Sequence, residues 1–150
     1  MSKFDDHLIG GHLSTSVGLE NTPVSASKFG FRTYQIFTKS QMQWKAKPID
    51  PSIPEKFREN RKKYDIKSVM VHASYLLNTA SSDEELRKKV REAFHTEIER
   101  SDFVGVELLT FHPGSFKDAT LKKGIENVTS MLNDVIKKDQ NVEVLIENSA

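Results

Sequence analysis

The chain has no cysteine, which excludes disulfides and thiolate-bound zinc alike. It has no long hydrophobic run: no stretch approaches the ~18 apolar residues of a membrane-spanning helix. The N-terminal segment has no apolar core and carries Asp5 and Asp6, which argues against a secretory signal. It also lacks an excess of charge of one sign, since 22 Lys and Arg against 21 Asp and Glu leave a formal +1. No blanket field draws it to nucleic acid, so contact with a polyanion has to come from a local cluster. A soluble, cytoplasmic protein is the expectation. What is present suffices for a packed core: 37% hydrophobic residues, with nine Phe and one Trp, in 150 residues. That length is one domain's worth. No Pro-, Gly- or Ser-rich linker divides it, so residues 1–150 read as a single domain.

Five short apolar segments alternate with amphipathic ones. The candidate strands are residues 7–13, 33–37, 68–71, 106–111 and 142–146. They are short and rich in Val, Ile, Leu and Phe, as strands buried on both faces of a parallel sheet are. Between them lie helical patterns. Ser82-Asp83-Glu84-Glu85 reads as a capping box with Ser82 at the N-cap, and Leu86, Val90, Phe94 and Ile98 then form one apolar stripe. Leu121, Ile125, Val128, Leu132 and Val135 form another. Pro54 can open a helix with Phe57 and Tyr64 on its inner face. A further helix, about 19–29, has Pro23 in its first turn and Gly30 as its stop. Alternating strands and helices imply a parallel sheet. Asn127-Val128-Thr129 matches a glycosylation pattern but falls on a helix, and is discounted.

A polar residue follows each apolar run: His12, Thr38-Lys39, His72, His112 and Glu147. In a parallel α/β protein these C-terminal strand ends share one side of the sheet, where barrels and open sheets build their sites. Three imidazoles, an ammonium and a carboxylate therefore converge. A single His at a strand end is more often a hydrogen-bonded group than a ligand, and a Glu there is often a cap; the coincidence over successive strands favours a site. Two His and one Glu suit zinc or manganese. His7 starts its strand at the opposite end. His95 lies mid-helix among Glu92, Glu97 and Glu99 and reads as surface.

The loops are more specific. Ile9-Gly10-Gly11-His12-Leu13-Ser14 with Gly18-Leu19 resembles the opening strand and loop of the endonuclease IV family. Phe37-Thr38-Lys39-Ser40-Gln41-Met42-Gln43-Trp44 resembles its second loop, and Val71-His72-Ala73-Ser74-Tyr75-Leu76-Leu77-Asn78 its third. Phe111-His112-Pro113-Gly114-Ser115 resembles the fourth, and Leu145-Ile146-Glu147-Asn148 the fifth. The resemblance runs from about Leu8 to Ala150. It implies the N-terminal five strands of a zinc-dependent (β/α)8 TIM barrel, cut off after strand five. It also implies base-excision repair: an apurinic/apyrimidinic endonuclease that hydrolyses the phosphodiester 5′ to abasic sites in double-stranded DNA, in the cytoplasm or nucleoid, or in the nucleus of a eukaryote. Such enzymes hold three zinc ions at the barrel mouth, which supply the attacking hydroxide and stabilise the leaving oxygen. The resemblance makes His72, His112 and Glu147 the ligands of one zinc, with Glu147 also the catalytic carboxylate that bridges to a second. His12 supports this shell without being a ligand. Tyr75 and Leu76 match residues that enter DNA where a base is missing, and Gln41 lies on another entering loop. Met42 stands where some members carry Arg, an apolar wedge in place of a charged one. Lys39 is expected on phosphate. The strands carrying the remaining ligands are expected to be missing, so the isolated chain should be impaired and self-associate, or require a C-terminal half, through exposed strand edges.

Two other readings compete. A metal-dependent sugar isomerase or epimerase on the same barrel also places His and Glu at strand ends, but gives no reason for the basic, aromatic run 39–44 with Lys45 and Lys47. A non-catalytic DNA-binding fragment or split subunit is the other.

Overall fold

The computed structural model describes residues 7–117 and 119–148. Asp5 and Asp6, used above to read the N-terminus, lie outside them, as do Asp118, Ser149 and Ala150. Four strands, β1 (Thr33–Ile36), β2 (Ser68–His72), β3 (Leu108–Phe111) and β4 (Glu143–Ile146), pair in sequence order. Every pairing is parallel. The intervening helices are α1 (Thr22–Lys28), after a 3-10 turn at Leu19–Asn21, α2 (Ile53–Lys63), α3 (Glu84–Val104) and α4 (Leu121–Val135). No described helix is long and apolar enough to cross a membrane.

The first expected strand is reduced to a single parallel bridge, His12 to Gln35. Leu13 N–H donates to the Gln35 carbonyl at 2.8 Å, and Gln35 N–H to the Gly11 carbonyl at 3.0 Å. Two bonds hold this segment at the β1 edge, which is enough to aim His12 along the sheet. Burial on both faces holds for β3, where Leu109, Thr110 and Phe111 are all buried, and is corrected for β1 and the start of β2. Tyr34, Ile36, Val69, Val71 and Leu109 are buried beneath the helices, whereas Thr33, Gln35 and Met70 on the alternate positions line an open cavity with Gly10, Gly11 and His12. Four strands do not close on themselves, so among the described residues nothing opposes the inner face.

The helices start and stop as their end residues dictate. Pro54 sits in the first turn of α2, and Phe57 is fully buried. In α3 the cap is Asp83, one residue later than expected: its carboxylate accepts from Leu86 N–H at 3.0 Å. Ser82 is used elsewhere, its hydroxyl accepting from Asn127 Nδ2 at 3.1 Å. Asn127, the discounted glycosylation residue, is buried and also donates to the carbonyls of Ala80 and Ser81. The α3 stripe packs inward through Val90, Phe94 and Ile98. The α4 stripe does so only at its C-terminal end, where Val135 is buried and Leu132 packs on the core, while Leu121 and Ile125 are exposed and Gly124, Asn127 and Met131 complete the buried face. Asn127 is held against the turn before α3 by its bonds to the Ala80 and Ser81 carbonyls, on the same face as Met131 and Val135.

Candidate metal centre and flanking loops

Strand register decides which side chains meet. His72 ends β2 opposite Thr110, and beyond the strands Ala73 N–H donates to the Thr110 carbonyl at 2.8 Å. Phe111 pairs with Ile146, and Glu147 N–H donates to the Phe111 carbonyl at 2.9 Å. The ladder thus runs one residue past the strand ends and delivers His72, His112 and Glu147 to neighbouring positions. One ligand atom from each lies within 4.8 Å of the others.

The chemistry of these donors fits a cation. His72 is buried, and its Nδ1 lies 2.7 Å from the Ala73 carbonyl. That bond makes Nδ1 the protonated nitrogen and leaves Nε2 with its lone pair, 3.3 Å from Glu147 Oε2. His112 Nε2 lies 4.0 Å from Glu147 Oε1. Among the described residues His112 Nδ1 is buried with no hydrogen-bond partner, an arrangement that costs ~1–3 kcal/mol unless something meets that nitrogen. Glu147 is about half exposed, so one carboxylate can face the imidazoles and solvent together. A cation among the three would relieve the crowding of one carboxylate and two imidazole lone pairs.

Aromatic rings wall the cluster. Tyr75 lies with its centroid 5.1 Å from the His72 ring and stacks on His112 at 6.1 Å. Tyr75 is nonetheless 56% exposed, so one ring face remains open beside the ligands. Phe37 sits edge-on to His72 at 5.6 Å and contacts His12 at 4.5 Å. His12 stands one strand away from the three-residue cluster. Desolvation on its packed side, and secondarily the like charge of His72, hold its imidazole below the usual histidine value.

The other predicted residues divide into two groups. Met42 is 68% exposed, and Gln41 and Leu76 are half-buried on the loops after β1 and β2. A cavity of about 480 Å³ connects His12, Phe37, Gln41 and Met42. Lys39 is different. Its side chain is 3% exposed, with Nζ 3.3 Å from Glu97 Oε1 and 2.8 Å from the Gln43 carbonyl. The ammonium is turned into the protein, against the phosphate contact expected of it; Lys45 and Lys47 remain on the exposed side of the loop.

Glu97, named above only as a neighbour of His95, is 1% exposed. The signal for its burial was present: it shares the spacing of Val90, Phe94, Ser101 and Val104, which form the buried face of α3. Nothing in the sequence said what a carboxylate would do there.

The turn after β3 depends on Gly114. Its φ is +87°, and a Cβ there would collide with Asn78. Asn78 in turn joins the two loops, donating to the Ser115 carbonyl and accepting from Ser115 N–H, each at 3.0 Å. Gly114→Ala is expected to destabilise the fold by ~1–3 kcal/mol, from backbone strain and the displaced amide. Thermal unfolding checks this, and an unchanged midpoint would mean the turn relaxes without strain.

Comparison with known proteins accords with this arrangement. A family model described as xylose isomerase-like TIM barrel matches residues 24–150. A probable endonuclease 4 of Thermoplasma acidophilum is 46% identical over 144 residues, covering 96% of this chain and 50% of the relative. One from Campylobacter concisus is 39% identical over 145 residues, covering 95% and 51%. The crystal structure of endonuclease IV from Thermus thermophilus superposes with a TM-score of 0.77 at 29% identity, covering 93% of this chain and 51% of that one. A D-tagatose 3-epimerase-like protein, at 22% identity and a TM-score of 0.65, shares the fold. The chain spans about half the length of the curated relatives it matches.

Proposed function

Because this chain belongs to the xylose isomerase-like TIM barrel family, we propose that it supplies the first metal-ligand set and two DNA-reading loops of a base-excision-repair endonuclease. The reaction is zinc-dependent hydrolysis of the phosphodiester 5′ to an abasic site in duplex DNA. The observation that carries this reading is the convergence of His72, His112 and Glu147 beside an open Tyr75 ring. Relatives 46% and 39% identical are named probable endonuclease 4, while the epimerase-like neighbour supports the fold alone.

His72, His112 and Glu147 would hold the ion. Zinc, when bound, supplies a Lewis acid for a phosphate oxygen and lowers the pKa of water. The Ala73 carbonyl keeps His72 in the ligating tautomer and orientation. Glu147, about half exposed at the strand end, faces the two imidazoles through both of its oxygens and stays open to solvent, so it would be the negative charge of the ligand set. Tyr75, Leu76, Gln41 and Met42 offer ring, apolar and amide surface on two adjacent loops. Such surface can occupy the gap left by a missing base, at a cost of a few kcal/mol per unstacked step. Lys45 and Lys47 provide the local positive charge for phosphate. Multi-ion hydrolysis needs ions at both the attacking and leaving oxygens, and only one ligand set of three lies among the described residues. Cleavage by the 150-residue chain alone should therefore be slow. The free edge of β4 and the open inner face favour self-association or a complementary half.

The test is a binding and cleavage comparison on one duplex with and without a tetrahydrofuran abasic analogue, with and without zinc, alongside sedimentation. A zinc-dependent preference for the abasic duplex is expected, with slow cleavage and concentration-dependent association. Thermal stabilisation by a ketohexose with none by abasic duplex would transfer the site to sugar chemistry.

A further inference from the structure

The carboxylate of Glu97 gathers partners from two loops. Oε1 accepts from Ser74 N–H at 3.0 Å and faces Lys39 Nζ at 3.3 Å, and Oε2 accepts from Thr38 Oγ1 at 3.4 Å. Lys39 passes the contact on to the Gln43 carbonyl. The loops are also joined directly, by Ser74 Oγ donating to the Gln41 carbonyl at 2.6 Å. One turn along α3, Arg100 donates to the carbonyls of Lys47, at 2.7 Å, and Thr38.

A buried ion pair is a poor source of stability, because desolvating both charges offsets most of their attraction; an apolar pair of the same volume often serves as well. What it adds is direction. Hydrogen bonds to a fixed carboxylate tolerate little change of angle, whereas apolar contacts slide. Both loops held this way carry candidate DNA-reading residues: Gln41 and Met42 on one, Tyr75 and Leu76 on the other. Ser74 is also two residues from His72.

We propose that Glu97 is a positioning residue, which locks the 38–47 loop and the 74–77 loop in one fixed relation to each other and to His72 before DNA binds. The purpose assigned to this lock rests on the DNA reading above; its geometry does not.

Trp44, the one tryptophan of the chain, reports on the lock. It lies over α3 in a cavity shared with Lys89, Ala93 and Thr96. In Glu97→Gln the shape is kept and the charge facing Lys39 is lost. Acrylamide quenching of Trp44 is expected to rise about twofold as the 38–47 loop loosens. The preference for abasic over intact duplex is expected to fall on the order of tenfold, with binding to intact duplex little changed. A residue that only supported the core would lower the melting temperature and move neither readout in the folded protein. Should Glu97→Gln not fold, the double variant Glu97→Gln, Lys39→Met removes both charges of the Lys39 pair while Arg100 keeps its bonds to the Lys47 and Thr38 carbonyls; it also lacks the tether, so the same increase in quenching is expected. Trp44 as shielded in these variants as in the parent overturns the proposal. If the parent itself does not discriminate between the duplexes, the DNA reading fails, and the Trp44 comparison still decides the role of Glu97.

Discussion

His112→Ala is expected to lower the zinc affinity of the metal-stripped chain by at least ~100-fold. Loss of a mere supporting partner around a metal costs 10- to 100-fold, and this substitution removes a ligand outright. The parent should bind one zinc per chain, through His72, His112 and Glu147. Among the described residues His112 Nδ1 is buried without a partner, and the ring makes only packing contacts, with His72 at 5.1 Å between centroids and with Tyr75. The apo fold should therefore tolerate alanine at 112 well, while zinc should stabilise the parent and not the variant. His12→Ala is the control. His12 stands against Phe37 and outside the three-residue cluster, so stoichiometry should be kept and affinity should change modestly. Calorimetric titration with zinc reads both. Equal stoichiometry and affinity in the parent and His112→Ala would remove the metal centre from this reading.

Tyr75→Ala should cut the preference for abasic over intact duplex by about tenfold, roughly 1.4 kcal/mol of discrimination. The ring is more than half exposed yet stacked against His112, so its open face meets whatever approaches the ligands. Leu76→Ala should act in the same direction. Lys45→Ala should weaken binding to both duplexes alike and reduce the salt dependence by about one counterion, since a phosphate contact carries no information about the base. Lys39→Ala, expected from the sequence to behave like Lys45→Ala, should instead lower stability, because it strands the buried Glu97 carboxylate. Fluorescence-anisotropy titrations at two salt concentrations separate these effects. An abasic preference unchanged in Tyr75→Ala would show that the 74–77 loop does not read the lesion.

Much of this was legible in residue order alone. Period and punctuation located four strands and the helices between them, because short apolar runs and capped amphipathic stretches are local properties. Polar residues at successive strand ends pointed to one site, because parallel topology brings those ends to one side. The loop strings resembled the endonuclease IV family, a resemblance the comparisons show. Three things lay beyond that reach. The first segment meets β1 through a single bridge to Gln35, and its apolar content did not show how few residues would pair. Asn127 lies on the buried face of α4, bonded to the turn before α3, and the hydrophobic pattern could not register that contact. Lys39 read as a phosphate contact and Glu97 had no role, because a sequence does not show which distant charge a side chain will meet. Their pairing spans 58 residues and a turn of the chain through β2, and only packing α3 beneath the two loops brings the ammonium within 3.3 Å of the carboxylate. The candidate metal-binding cluster follows from strand order, which is readable along the chain; the contact between the loops is a buried electrostatic one, which exists only once the helix is seated.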